Sequence, residues 1–194
     1  MFPVKRNQIV FGYSEEKDIW AMLLEKAYAK AYGGYMNIGA GGLAENTLFD
    51  LTGMPCETIT WEEEEIQNRL FDILNTANSG KFTMVARSKS KGVVKNPKGI
   101  IGDYDYTLMG VHKLAIGDKL VKLRNPWSKA AWKGDFNEKS YHWTETLITY
   151  LDVSEEDDGI FFLPIKDFIE QFECVTICHF NENMQRSCLF DLNS

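Results

Sequence analysis

Apolar residues recur at three-to-four spacing through the first third of the chain. In "SEEKDIWAMLLEKAYAKAYGG", Ile19, Trp20, Leu23, Leu24, Ala27 and Ala31 fall on one stripe, which predicts an amphipathic helix. Ser14 or Asp18 offers its N-cap, and Gly33-Gly34 its stop. "QIVFGY" just before it reads as a short strand, and "AENTLFDLTG" as a short second helix stopped by Gly53. The strongest periodicity follows. Thr60 and Glu63 stand at capping-box spacing, Ile66, Leu70, Ile73, Leu74 and Ala77 line one face, and Gly80 ends the helix.

From residue 81 the period shortens to that of strands. "KFTMVARS", "YTLMGVHKLA", "DKLVKLRNPW", "GIFFLPI" and "CVTICHF" are strand segments separated by Gly, Asp, Asn and Pro. "SKSKGVVKNPKG" among them is polar and basic, and predicts a mobile surface loop. One late helix, "IKDFIEQFE", follows Pro164 and puts Ile165, Phe168, Ile169 and Phe172 on one side. Helices first and antiparallel strands afterwards predict an α+β organisation without internal repeats.

Composition narrows the picture. The 194 residues suffice for one large domain, or one domain plus part of another. Aromatics at 13% spread along the chain argue for a thick core over long disorder. A formal charge of −7 argues against a nucleic-acid partner. The acidic runs "WEEEEIQ" and "SEEDDG" read as solvated segments. No run is long and apolar enough for a membrane span, and the N-terminus carries no signal-peptide pattern. Cys56, Cys174, Cys178 and Cys188 contain no CxxC pair or metal-ligand spacing. In a strand, Cys174 and Cys178 share a face about 13 Å apart and cannot bond to each other. Reduced thiols in a cytoplasmic protein are the expectation.

Three segments, in order, bear a resemblance to a known family. "DIWAMLLEKAYAKAYGGYMNIGAGGLAENTLFDLTG" resembles the helix and glycine-turn segment of the calpain cysteine-protease core. "LVKLRNPWSKAAWKGDF" resembles the strand that carries its active-site asparagine, and "DDGIFFLPIKDFIEQFECVTICHF" its terminal strand-helix-strand. The resemblance implies part of a papain-like core, in which a helical subdomain with the nucleophilic cysteine and a β-rich subdomain with histidine and asparagine flank a cleft. Residues 1–55 would be the tail of the first subdomain, 56–181 the second, and 182–194 the start of a linker or following domain. The missing upstream part of the first subdomain becomes an expected partner.

A Cys-His-Asn site needs all three groups. The imidazole takes the thiol proton, and the asparagine fixes the ring. The resemblance puts Asn125 at the orienting asparagine and Trp127 at the tryptophan that shields the His–Asn bond. It puts Tyr104, between Asp103 and Asp105, where the histidine should stand. A phenol with a pKa near 10 is a poor base at neutral pH, and a carboxylate is too weak a base to ionise a thiol. His112 lies eight residues on, on the same face of its predicted strand but about 26 Å away. His142 and His179 match no family role, and Cys56, in a "GMPCETI" turn, is a poor nucleophile candidate.

Many calpains also bind calcium in this subdomain through two carboxylate loops. Here Ala131 and Ile160 stand at two ligand positions, leaving Glu138 and Asp158 as remnants of a site that would bind Ca²⁺ weakly at best. No cofactor is expected. The reading is a calpain-type cysteine-protease fragment incompetent for catalysis as given; the alternative is a non-catalytic module whose cleft takes a peptide or protein. Either way, Tyr104 and Asn125 should lie on neighbouring antiparallel strands, on one face, with Cβ atoms within about 8 Å.

Overall fold

The structure, a computed structural model, describes residues 4–5, 8–9, 18–39, 41–89, 95–115, 117–126, 132–154 and 158–181. In chain order the elements are β1 (Val4–Lys5), β2 (Gln8–Ile9), α1 (Trp20–Ala31), α2 (Tyr35–Ile38), α3 (Ala44–Thr52), β3 (Cys56–Thr60) and α4 (Glu64–Ser79). They continue with β4 (Thr83–Ser88), β5 (Asp105–Lys113), β6 (Lys119–Arg124), α5 (Glu145–Leu151), β7 (Ile160–Pro164), α6 (Ile165–Gln171) and β8 (Phe172–Cys178). The chain divides into two compact units after Leu43.

The first unit holds a β1–β2 ribbon, α1 and α2. Gly33 and Gly34, at φ of 82° and 136°, end α1 as the sequence predicts, because L-residues with a Cβ rarely adopt such angles. α1 starts at Trp20 without a side-chain cap. Ser14, one of the two cap candidates, lies outside the described residues, as do residues 10–13 of the predicted first strand.

The second unit is an antiparallel six-stranded sheet in the order β3-β8-β4-β5-β6-β7. The fold is thus α+β, as expected. α3 belongs to this unit. Thr58 Oγ1 donates to Glu45 Oε2 at 3.0 Å, and Thr52 Oγ1 sits 3.4 Å from Cys178 Sγ, tying the helix to β3 and β8. α4 and α6 cover one face: Leu70, Leu74 and Phe168 are fully buried in one cluster with Ala86, Tyr106, Val121, Leu123 and Phe172. α5 and the 136–143 segment cover the other, where Leu120, Phe136, Leu151 and Phe162 meet. This two-sided burial explains the nearly continuous apolar run in β7.

Four local expectations change. Thr60 does not cap α4, since it is drawn into β3 opposite Cys174; Glu63 takes the N-cap position without a side-chain bond. "CETIT" and "ETLITYL" form an edge strand and α5, which the apolar pattern did not predict; Thr144 caps α5 by accepting from Leu147 N–H at 3.2 Å. The end of the basic loop is a pinned turn: Asn96 Oδ1 accepts from Ile100 N–H at 3.0 Å, and Lys98 pairs with Asp167 at 2.7 Å. Residues 90–94 lie outside the described residues. A β-bulge between Leu108 and Gly110 shifts the β5–β6 register, and it overturns the expected facing of His112. Val111 keeps to the main core beside Val121, so His112 turns to the opposite face, against Phe162 at 6.2 Å.

Candidate active site

Tyr104 is set by a buried serine. The alternation in β4 buries Met84, Ala86 and Ser88, so the Ser88 hydroxyl enters an otherwise apolar face and must find partners there. Its Oγ donates to Ile101 O at 2.7 Å and accepts from Tyr104 N–H at 3.0 Å, while Ser88 N–H donates to Tyr104 O at 2.9 Å. The half-buried Tyr104 side chain packs on the main core, its ring edge-on to Tyr106 with centroids 6.1 Å apart. Tyr106 is buried, and its hydroxyl accepts from Ile101 N–H at 2.9 Å. Burial pushes that phenol above its ordinary pKa, against the pull of the Ile101 bond.

The aspartates on either side of Tyr104 serve an ion pair. Arg87 Nη2 meets Asp103 at 2.6 Å, Nη1 meets Asp105 at 3.3 Å, and Nε meets Glu173 at 3.5 Å. Burial raises the Asp105 carboxyl above the usual carboxylate range, and the Arg87 guanidinium offsets part of that rise. Asp103 sits at φ 54°, a left-handed geometry that Asp tolerates in a tight turn. Sequence reasoning missed both Arg87 and Ser88. A serine at an inward position of "TMVARS" was the available signal.

Asn125 follows β6 directly. It is 5% exposed, and its N–H donates to Gly159 O at 2.9 Å. The β5–β6 ladder pairs Thr107 with Arg124 and Leu108 with Leu123. One further step sets Tyr106 against Asn125, and strand alternation puts Tyr104, Tyr106 and Asn125 on the Leu108–Leu123 side. Tyr104 is thus one same-face step beyond the residue opposite Asn125. Trp127 lies outside the described residues.

The other chemically capable groups stand elsewhere. Cys56 is on edge strand β3, four strand spacings or about 19 Å across the sheet from β6. Burial, then the neighbouring Cys178 thiol, pushes Cys56 up to about 12, the reverse of an activated nucleophile. His112 pairs with Leu120, five residues or about 17 Å along β6 from Asn125, on the other face. Its Nε2 is buried with no hydrogen-bond partner among the described residues, and burial, then Lys122, lowers its pKa. His142 stacks on Phe136, and His179 Nε2 lies 3.0 Å from Glu57 Oε1.

Of the calcium remnants, Glu138 is exposed on the rim of a cavity of about 570 Å³ walled by Phe136, Trp143 and Phe162. Asp158 Oδ1 accepts from Ile160 N–H at 2.9 Å, closing the turn whose Gly159 carbonyl holds Asn125. Ala131 lies outside the described residues. Among the described residues no three His, Cys, Asp or Glu side chains gather as a metal site.

Comparison with known proteins decides the family. The calpain family cysteine protease domain matches residues 1–179. The chain belongs to the calpain family. It is 36% identical to human calpain-14 over 179 residues, 89% of this chain and 25% of that protein. It is 32% identical to a Schistosoma mansoni calpain over 184 residues, 90% and 24% of the two chains, and 30% identical to mouse calpain-12 over 183 residues, 91% and 25%. This calpain-family chain therefore spans about a quarter of the length of these relatives. Among its described residues no helix is long and apolar enough to cross a membrane.

Proposed function

We propose that this chain is the asparagine-bearing part of a calpain-type, papain-like cysteine endopeptidase core, and that it does not cleave peptides on its own. One observation carries the reading: the position matched to the general-base histidine holds Tyr104, fastened as a packing residue by Ser88 and Tyr106. A neutral phenol there cannot take a thiol proton at pH 7. Asn125 would then have no imidazole to orient. In this reading residues 56–181 are the second subdomain and residues 1–55 the tail of the first, whose last helix, α3, is docked on the sheet; an upstream segment would complete the cleft. In this reading the protein works in the cytoplasm, where thiols are held reduced at rest.

A second reading gains support from the same tyrosine. A site whose base has become a structural residue keeps its cleft walls, and such a cleft holds a peptide or protein without cutting it. Calcium belongs to neither reading. With Ala131 and Ile160 at two of the would-be ligand positions and only Glu138 and Asp158 left, no site tighter than millimolar is expected.

Incubation with casein and fluorogenic peptides, with and without calcium, tests the proposal. No turnover is expected from the wild type or from Tyr104→Phe. Turnover by the wild type that Tyr104→Phe abolishes would overturn it. Calorimetric titration should show no micromolar calcium site, and one ion bound per chain at that affinity would sink the calcium statement.

A further inference from the structure

The first strand of the sheet begins with a cysteine, and the last strand ends with one. β3 pairs with β8 so that Cys56 faces Cys178 directly. His179 N–H donates to Pro55 O at 3.0 Å, the bond that flanks a non-hydrogen-bonded antiparallel pair. Cα atoms in such pairs stand about 4.5 Å apart, and their side chains approach more closely than in the alternate pairs. A disulfide accepts Cα separations of roughly 4.4–6.8 Å, so the backbone already lies within its range. The Cys178 thiol stands near enough to Cys56 to help raise the Cys56 pKa. Cys178 Sγ also touches Thr52 Oγ1 at 3.4 Å, and Cys56 Sγ donates to Met54 O at 3.5 Å, so both sulfurs are held in place.

We propose that Cys56 and Cys178 are a redox pair, which hydrogen peroxide converts into a cross-strand disulfide stapling the first and last strands of the sheet. Cys178 is wholly buried, whereas Cys56 is partly exposed at the sheet edge and is the point of entry. The Cys56 thiolate attacks one peroxide oxygen. The O–O bond breaks, and the leaving hydroxide takes up a proton as water. Cys178, giving up its proton, attacks the resulting sulfenic sulfur, and the S–O bond breaks with loss of a second water. Two thiols and one peroxide become one disulfide and two waters, with the sulfurs oxidised by two electrons in total. Cys174 is outside the pair: it faces Thr60 on one side and Arg87 on the other. The thiol's raised pKa makes the step slow at neutral pH and about tenfold faster per pH unit while the thiolate fraction grows.

The test treats the purified chain with hydrogen peroxide under native conditions and maps its peptides without reduction. The expected result is a linked Cys56–Cys178 peptide in a monomer that has lost two hydrogens, formed also in Cys174→Ser and absent in Cys56→Ser. The oxidised wild type should melt about 5–10 °C higher than the reduced form, with no such rise in peroxide-treated Cys56→Ser. Oxidation of Cys56 to sulfinic acid with Cys178 intact would overturn the proposal. So would preferred pairing with Cys174 or Cys188, bond formation that requires urea, or a linked protein that melts no higher than the reduced one.

Discussion

Helices α1 and α4 carry similar apolar stripes and meet different fates. In α4, Leu70, Phe71, Leu74 and Ala77 are buried against the sheet. In α1 only Met22 and Ala29 are buried, while Trp20 is 66% and Leu23 49% exposed. Periodicity therefore reports that a helix has a face to bury, and the strands supply the burial only for α4. The stripe on α1 stands open within its own unit.

Substitutions should separate the two helices clearly. Leu74→Ala, which opens a cavity at a fully buried position, is expected to cost about 3–4 kcal/mol in urea unfolding followed by far-ultraviolet circular dichroism. A loss below about 1 kcal/mol would mean that α4 and the sheet are not one cooperative body.

Arg87→Met probes the polar joint of the same sheet. It strands the carboxylates of Asp103, Asp105 and Glu173, and a loss of about 1–2 kcal/mol is expected at neutral pH. Below the raised titration range of Asp105 that carboxyl is neutral in the folded state, so the deficit should shrink in acid. Unfolding curves at acid and neutral pH check it, and a deficit that grew in acid would contradict the ion-pair account.

His112 supplies a smaller effect with a definite sign. Its folded pKa is lowered by burial, so its contribution is present above the ordinary histidine value near 6.5. As pH falls through that value the unfolded chain takes up the proton first, and stability drops. His112→Leu should flatten this slope; equal slopes from pH 7.5 to 5.5 in both proteins would rule the histidine out as its source. At the foot of the scale stands Leu23→Ser on α1. It should change unfolding by no more than about 0.5 kcal/mol, and a larger loss would show the exposed stripe to be packed in solution.

These sites also mark what the sequence could disclose. α4 was legible because five apolar residues at helical spacing leave no strand alternative. The family was legible from the "LRNPW" and "GIFFLPI" segments, read in order with the first helix. The facing of His112 was not, because one extra residue at Met109 reverses every later side chain without altering the alternating text. Edge strand β3 hid because a strand covered on one side needs few apolar residues, and "CETIT" has few. α5 hid behind its β-branched residues, which lower intrinsic helix propensity and leave tertiary packing to decide. The Arg87 pairing joins residues from three strands, and no single-sequence spacing expresses such a contact.

The adjacency of β3 and β8 also fixes how the sheet would bear a load. The chain enters the sheet at Cys56 and leaves it at Cys178, side by side on antiparallel strands. Tension from flanking segments would act on that outermost rung and peel the ladder one hydrogen-bonded pair at a time, without shearing all the pairs together. The sheet would be mechanically soft at its joint with the rest of a longer chain, and a covalent bond at that first rung would turn the zipper into a closed clasp.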